Sequence, residues 1–266
     1  SDYTKWGASQ TGDIVTAPGL WSLDNYGNKL IATIFDGATF EWDSDATGAN
    51  STRATIVANC PTASLQTLVS TPDRHLIAFG TETTIGTAST QDDMYIRWSD
   101  QESINATTSW APSATNTAGT QRLADGTRIV AAIRGRDAIY VWTDTSLFIM
   151  RFVGAPFVFS FQQVGTNCGL IGKNAAVEVD GSAYWMSENG FFRYTGKLDS
   201  LACLVEDYVY DDINTVPRQH IYAGLNNLFG EVTWFYPGSG AASNNRSVTY
   251  NFMDSTPERP VWTTSS

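Results

Sequence analysis

Short runs of β-branched and aromatic residues recur along the chain, often alternating with polar residues, and Gly, Asn and Asp separate them. A period of two in such residues is the pattern of β-strands in a sheet. The runs LIATIF at 30–35 and TFEWD at 39–43 flank the dipeptide Asp36-Gly37. Because both residues of this dipeptide can adopt positive φ, the segment predicts a tight hairpin.

Five stretches of the chain share this layout of short strands joined by turns. After the first hairpin come HLIAFG (75–80) with MYIRWSD (94–100); RIVAAI (128–133), AIYVWTD (138–144) and SLFIMRFVG (146–154); AAVEV (175–179), SAYWMS (182–187) and GFFRYTG (190–196); and HIYAG (220–224), GEVTWFYP (230–237) and RSVTYNF (246–252). Asp180-Gly181 and Glu188-Asn189-Gly190 are the turns predicted in the fourth stretch. The pattern predicts consecutive antiparallel meanders.

A tryptophan lies in the second predicted strand of every stretch. These residues are Trp42, Trp98, Trp142, Trp185 and Trp234, spaced by 56, 44, 43 and 49 residues. The spacing is close to the roughly 40 to 50 residues of one β-propeller blade. Because a small twisted sheet cannot cover both of its faces alone, sheets stacked around an axis bury them against each other. The five tryptophans are therefore interpreted as structural side chains at inter-blade contacts.

The sequence thus predicts an all-β fold, a β-propeller or partial propeller of three- to four-stranded blades, with one short helix inserted. One propeller-like domain over 1–266 is expected, with blades at about 20–64, 65–126, 127–172, 173–200 and 218–266. The polar stretches 44–64 and 105–126 are interpreted as surface loops. The alternative is a β-sandwich in which the tryptophan spacing is accidental.

The helix is predicted at about 204–214, between the fourth and fifth stretches. An apolar stripe at helical spacing defines it, and Pro217 follows its end. The stripe consists of Leu201, Val205, Tyr208, Val209 and Ile213, and the acids Glu206, Asp207, Asp211 and Asp212 fall on the remaining surface. These acids could bind calcium or act as paired carboxylates, but exposed acids on an amphipathic helix are the simpler interpretation.

The charge balance excludes ordinary nucleic-acid binding. The 266 residues include 27 acids and 16 bases, which gives a net charge of −11 and a pI near 4.5, the opposite of a surface that neutralises phosphates. The longest uncharged stretch, Phe152 to Gly172, is interrupted by Pro156 and polar residues, so no membrane-spanning helix is predicted.

The residues that could carry chemistry form no catalytic, cofactor-binding or metal motif. The two histidines, His75 and His220, each begin a predicted strand, and Cys60, Cys168 and Cys203 are far apart and are interpreted as buried hydrophobic residues. No G-x-S-x-G motif and no phosphate-binding G-x-x-x-x-G-K-[ST] motif occurs. We therefore expect a non-enzymatic protein without cofactor or metal.

Two other functions remain open. Some propellers are glycosidases or sialidases, and Ser187-Glu188-Asn189-Gly190-Phe191-Phe192 is similar to a sialidase Asp-box turn, although it occurs once and lacks the Asp. The alternatives are therefore a propeller-type glycan hydrolase, or a carbohydrate-binding or receptor-contacting module. Fold alone does not decide between them.

The segment 138–196 resembles a family of tail proteins from short-tailed bacteriophages. The resemblance rests on a strand that ends in Phe152-Val153-Gly154, on the following Pro-Phe, Phe-Ser-Phe and Gly-Leu-Ile-Gly, and on an aromatic strand that leads to Asn-Gly-Phe-Phe. The segments WSDQE (98–102) and VEDYVYDDIN (205–214) are also similar, so the resemblance covers about two-thirds of the chain. The family is the nozzle or tail tubular protein B group, with the related packaged-DNA stabilisation proteins.

This resemblance implies a structural virion component of the phage tail that forms part of the conduit for DNA ejection. It also implies a homo-oligomeric ring, a hexamer, in contact with adaptor and other tail proteins. Family members are longer than this chain, which suggests that the chain is part of a longer protein. No active site is carried over. An acidic surface would avoid retaining transiting DNA, although the same charge also keeps an abundant protein soluble.

Overall fold

The computed structural model describes residues 20–45, 53–71 and 73–266. These residues form five four-stranded antiparallel sheets, and within each sheet the strands follow one another in chain order. Sheet 1 contains β1 (Trp21–Tyr26), β2 (Lys29–Ile34), β3 (Thr39–Asp43) and β4 (Thr55–Ile56). Sheet 2 contains β5 (Ser64–Ser70), β6 (His75–Thr81), β7 (Tyr95–Trp98) and β8 (Gly119–Arg122).

The remaining three sheets follow the same plan. Sheet 3 contains β9 (Ile129–Arg134), β10 (Ile139–Thr143), β11 (Ser146–Gly154) and β12 (Val158–Thr166). Sheet 4 contains β13 (Ala176–Val179), β14 (Ser182–Ser187), β15 (Gly190–Tyr194) and β16 (Leu198–Leu201). Sheet 5 contains β17 (Tyr222–Asn226), β18 (Glu231–Tyr236), β19 (Arg246–Asn251) and β20 (Trp262–Ser265). The described residues also form helix α1 (Glu206–Asp212) and 3-10 turns at Ala88–Thr90 and Arg218–His220.

Consecutive four-stranded meanders are the blades of a β-propeller, so the propeller-like all-β fold predicted from the sequence is confirmed. Every sheet has four strands. The chain divides into two compact units, residues 1–124 with sheets 1 and 2, and residues 125–266 with sheets 3, 4 and 5. They are referred to below as the N-terminal unit and the C-terminal unit.

The turn at Asp180-Gly181 shows how local sequence sets the strand register. Both residues have positive φ, 48° and 85°, and the flanking residues Val179 and Ser182 pair directly. Two positive φ values give a turn whose twist matches that of the strands. At Asp36-Gly37 the expectation was only half right, because Asp36 alone has a positive φ, of 59°. Gly37 is required there for space, since a Cβ would lie 2.5 Å from Cγ2 of Ile34.

The two stretches interpreted as surface loops contribute to the core, which corrects that expectation. In the stretch 44–64, Val57 and Cys60 are buried, and in the stretch 105–126, Trp110 is fully buried. Each of these stretches also supplies an edge strand, β4 and β8 respectively. These apolar residues occur singly or in very short runs among polar residues, so no hydrophobic period marks them.

Helix α1 is confirmed but is shorter than predicted, and its apolar stripe was partly wrong. Val209 is fully buried, whereas Tyr208 is half exposed. Tyr210 packs inward instead, and its hydroxyl donates to the carbonyl oxygen of Ser187 at 2.7 Å and accepts from the N–H of Gly190 at 3.1 Å. The helix is thus fixed to the β14–β15 turn by a tyrosine that the stripe did not include.

Candidate functional site

Three of the five tryptophans lie together in the core of the C-terminal unit. Trp142, Trp185 and Trp234 are all fully buried within one hydrophobic cluster, and the rings of Trp142 and Trp185 meet edge to face with centroids 5.4 Å apart. The indole N–H of Trp185, in sheet 4, donates at 2.7 Å to the carbonyl of Cys168. The backbone N–H of Cys168 in turn donates to the carbonyl of Thr145, in the β10–β11 turn of sheet 3. These side chains connect one sheet to the next.

Trp234 repeats this arrangement one sheet further on. Its indole N–H donates at 3.0 Å to the carbonyl of Ala175, and the carbonyl of Ala175 also accepts from the backbone of Met186 in sheet 4. Phe191 of sheet 4 packs against the Trp234 ring at 5.0 Å. The geometry is that of a spacer between adjacent sheets.

The two tryptophans of the N-terminal unit differ from this arrangement. Trp42 and Trp98 lie on the third strands of their sheets, β3 and β7, and not on the second strands as predicted. The reason is that β1 and β5 precede the runs that the sequence pattern identified. Trp98 is buried, with its N–H donated to the carbonyl of Thr117, while Trp42 is only half-buried. Sequence reasoning missed Trp110, which is fully buried and donates to the carbonyl of Ile104.

The histidines have unrelated environments. His75 is fully buried at the start of β6, where its Nδ1 lies 2.7 Å from the carbonyl oxygen of Ser99 and its Nε2 lies 3.7 Å from the carboxylate of Asp73. Burial raises the pKa of Asp73. The hydroxyl of Ser70 donates to Oδ1 of Asp73 at 2.6 Å, and Ser70, Asp73 and His75 are all buried. His220 is exposed, ends a 3-10 turn and borders a cleft described below.

The cysteines and acids that the structure describes are not grouped into a metal site. Cys60 and Cys168 are buried and Cys203 is half-buried, and burial raises the thiol pKa to about 12 for Cys60 and about 11 for the other two. Across residues 20–45, 53–71 and 73–266, no group of His, Cys, Asp or Glu side chains has the arrangement of a metal site. Asp212 of the acidic cluster pairs with Arg246 at 3.0 Å.

No helix among the described residues is long and apolar enough to cross a membrane.

An open cleft of about 490 Å³ lies in the C-terminal unit, where the first strands of its sheets meet. Strand β13 packs beside both β9 and β17. A parallel bridge joins Asn174 to Tyr222, and the N–H of Ala223 donates to the carbonyl of Asn174 at 2.7 Å. The cleft is lined by Ile133, Lys173, Asn174, Ala176, Gln219, His220, Tyr222 and Ala223. Its volume lies within the range of small-molecule sites.

Three of the polar side chains that line this cleft make no hydrogen bond within the described part of the chain. The side-chain amides of Asn174 and Gln219 and the hydroxyl of Tyr222 have no hydrogen-bond partner among the described residues. The Nδ1 of His220 lies 2.9 Å from the carbonyl oxygen of Ala242 and must therefore carry a proton, which leaves Nε2 of the neutral ring as an acceptor.

One aromatic ring and one cation complete the cleft. The ring of Tyr222 stacks on Phe235 with centroids 4.8 Å apart and planes at 21°, and 44% of Tyr222 remains exposed. Lys173 is the one charged side chain among the lining residues, apart from the titratable His220. Burial lowers the pKa of Lys173 to about 8. The cleft thus combines a flat apolar face, amides and a positive charge.

A second cleft, of about 420 Å³, lies at the ends of β9 and β13. It is lined by Arg134, Gly135, Arg136, Glu178 and Asp180. The carboxylate of Glu178 accepts the N–H of Gly181 at 2.6 Å and so holds the β13–β14 turn. Its mixed charges do not favour a ligand of one sign.

The longest hairpin among the described residues, β11–β12, ends in an exposed apolar tip. Strands β11 and β12 have nine residues each, whereas the neighbouring β10 has five. At the tip, Val153 is 53% exposed and Phe157 is 77% exposed. The N–H of Phe159 donates to the carbonyl of Phe157 across Val158, whose φ is +60°. A β-branched residue in the left-handed region is strained, so the surrounding structure must hold the tip in shape.

No model of a known protein family matches the chain, and no curated protein matches it. Among solved structures, the AfRom2 CNH domain, a propeller, aligns with a TM-score of 0.50 at 12% identity, over 91% of this chain and 71% of that one. The computationally designed Ika8 protein aligns with a TM-score of 0.43 at 9% identity, over 85% and 61% of the two chains. Apo AztD from Citrobacter koseri aligns with a TM-score of 0.41 at 10% identity, over 94% and 76%.

The AfRom2 similarity places the chain in the class of propeller-like all-β proteins. At 12% identity it concerns the fold alone. The names of these structures carry no function over to the chain.

Proposed function

We propose that the chain is a non-catalytic structural component of the tail of a short-tailed bacteriophage. In this role it forms part of the DNA ejection conduit, assembles with copies of itself in a ring, and contacts adaptor and other tail proteins within the virion. The proposal assigns no catalytic residue and no cofactor.

The exposed tip of the β11–β12 hairpin carries this proposal. The residues on which the family resemblance rests include Phe152-Val153-Gly154 and Pro156-Phe157, and the structure places them at that tip. Core packing does not account for Val153 and Phe157, because most of their surface is exposed. Exposed apolar groups held in a fixed conformation are suited to a protein contact.

The packing of the C-terminal unit is consistent with a rigid structural role. The core of the C-terminal unit runs without a break through sheets 3, 4 and 5 and is rich in aromatic rings. Closely packed interiors transmit strain with little compression. Rigid sheets would hold the hairpin tip at a fixed position for a neighbouring subunit.

The test is to locate the chain in particles of the phage whose genome encodes it. Mass spectrometry of purified virions should find the chain in several copies per particle, and immunogold labelling with an antibody against it should mark the tail vertex. Absence of the chain from particles, or a label spread over the capsid shell, would overturn the proposal.

The role of the tip can be tested separately with the purified chain. Replacing Val153 and Phe157 by Ser should leave the melting temperature unchanged, because exposed substitutions alter stability by less than about 0.5 kcal/mol, but should shift the protein towards monomer in native mass spectrometry. Val216→Ser is the matched control, since Val216 is 87% exposed outside the tip. An oligomer that resists the tip substitutions would exclude the hairpin from the subunit contact.

A further inference from the structure

We infer that the β11–β12 tip of one copy of the chain docks on an uncovered apolar face of sheet 1 in the next copy. This inference rests on the proposed ring, for which it names the second contact surface. A ring of identical subunits is closed by heterologous contacts, so each copy must present two different patches. The tip is one patch, and sheet 1 carries the other.

Sheet 1 packs on sheet 2 through only one of its two faces. Ile31 and Thr33 of β2 are fully buried, and the hydroxyl of Thr33 lies 2.6 Å from the hydroxyl of Thr67 in sheet 2. The carboxylate of Asp24, in β1, accepts the N–H of Val69 in sheet 2 at 2.8 Å. The face that carries these residues is therefore already used within the N-terminal unit.

The opposite face of sheet 1 is apolar and partly open to solvent. Residues alternate between the two faces along a strand, and directly paired residues share a face. Leu23 is 64% exposed, Ile56 is 62% exposed and Trp21 is 48% exposed. This placement also accounts for the incomplete burial of Trp42. The large side chains of this surface, referred to below as the sheet 1 face, are Trp21, Leu23, Leu30, Phe40, Trp42 and Ile56.

Exposed apolar surface of this kind marks a site of protein contact. The charged residues in the strands of sheet 1 all alternate to the other face, namely Asp24, Lys29, Glu41 and Asp43. Residues 152–157 of the tip are also uncharged. A contact between the tip and the sheet 1 face therefore buries apolar surface on both sides without burying an unpaired charge.

Charge selects the tip as the occupant of this face. Residues 20–45, which form the first three strands of sheet 1, carry five acids and one lysine, a balance of −4. Residues 146–166, which form the β11–β12 hairpin, carry Arg151 and no acid. The hairpin is thus attracted to a region that repels other acidic parts of the chain. Two copies joined through their sheet 1 faces would instead bring two acidic regions together.

The dimensions of the two surfaces agree with this choice. Neighbouring strands of a sheet are about 4.8 Å apart, so the four strands of sheet 1 span about 14 Å and the two strands of the hairpin about 5 Å. The hairpin tip is therefore narrow enough to lie within the sheet 1 face.

The experiment mixes two variants of the full chain. The tip variant carries Val153→Ser and Phe157→Ser, and the face variant carries Leu23→Ser and Ile56→Ser. Each variant alone should be monomeric in native mass spectrometry at about 100 µM, a concentration that reveals even a weak contact. Their equimolar mixture should form 1:1 dimers and nothing larger, because each dimer joins the intact face of one variant to the intact tip of the other.

A control variant carries Leu204→Ser and Val216→Ser. Leu204 and Val216 are 83% and 87% exposed and lie outside both patches, so this variant should assemble as the wild type does. The mixed dimer is itself a control for folding, since it forms only if the tip variant and the face variant both retain their structure.

Three results would overturn the inference. A face variant that assembles like the wild type would remove sheet 1 from the contact and leave the role of the tip intact. A mixture that stays monomeric would show that the two patches do not meet each other. A wild type that is monomeric at about 100 µM would exclude contact between copies. The virion position of the chain is decided separately by immunogold labelling, so the inference and the proposed function can fail independently.

Discussion

The indole nitrogens of Trp142 and Trp185 have different partners although the two rings touch. The N–H of Trp185 donates to the carbonyl of Cys168, whereas the buried Nε1 of Trp142 has no hydrogen-bond partner among the described residues. The tryptophans at equivalent positions of sheets 3 and 4 therefore contribute differently to the free energy of unfolding.

Phenylalanine substitutions should reveal this difference. Trp185→Phe should lower the free energy of unfolding by about 1 to 3 kcal/mol more than Trp142→Phe, because only the former leaves a buried carbonyl without its donor. Urea denaturation monitored by circular dichroism measures both. Equal losses would contradict the assigned hydrogen bond.

Alanine substitutions test the packing role of the same residues. Trp142→Ala and Trp185→Ala should each lower the free energy of unfolding by about 3 to 5 kcal/mol, as expected for a buried aromatic side chain. Trp42→Ala provides the comparison, since Trp42 is half-buried and should cost less. A negligible loss at Trp142 would remove it from the core.

Lys173 should titrate well below the ordinary value of a lysine side chain. Burial lowers its pKa to about 8, so the folded protein releases this proton at a lower pH than the unfolded chain does. Stability should therefore rise with pH from about 8 towards 10.4, the range in which the unfolded chain holds the extra proton. NMR of the ¹³C-methylated lysines, with Lys173→Arg for assignment, measures the midpoint, and a value near 10.4 would contradict the burial.

The cleft residues carry no local signal that sequence reasoning could use. Lys173 and Asn174 precede β13, while Gln219, His220 and Tyr222 lie about 45 residues further along the chain. The bridge between Asn174 and Tyr222 brings the two segments together. Side-by-side packing of non-consecutive strands sets this juxtaposition, so it could not be predicted from spacing.

Among the structural elements, hairpins were easier to predict than sheet edges. The turn at Asp180-Gly181 was predicted correctly because two residues alone determine its backbone. The strands that the pattern missed include the fourth strand of every sheet, namely β4, β8, β12, β16 and β20. Residues on such an edge are largely exposed or half-buried, as in β20 and β4. An edge strand with little buried surface has no strong alternation of apolar and polar residues.

The β13–β14 turn provides a test of this local control. Gly181 has φ +85° and no atom within 4 Å of an added Cβ, so Gly181→Ala should cost about 1 kcal/mol through backbone strain alone. Gly224→Ala is the control, because Gly224 has no positive φ and its Cβ would meet Phe235 at an ordinary 3.6 Å. Thermal denaturation should show a lower melting temperature only for Gly181→Ala. Equal melting temperatures of the two variants would contradict the turn assignment.

At the scale of the whole molecule, the net charge of −11 sets the behaviour towards DNA. The chain should not retard a short DNA duplex in a gel-shift assay, even at about 50 mM salt, because its excess of acidic over basic residues repels the phosphates. The same chain with a C-terminal hexalysine tag is the positive control. Retardation of the untagged chain would reveal a basic surface that the overall charge conceals.

The order of strands within each sheet has a consequence for biosynthesis. Within the five sheets, every strand pairing joins strands that are neighbours along the chain, from β1–β2 through to β19–β20. Such local pairing keeps loop-closure entropy small and favours rapid folding. Each meander can therefore close as soon as its last strand leaves the ribosome, and within each unit the finished sheet offers the next nascent sheet a surface on which to pack.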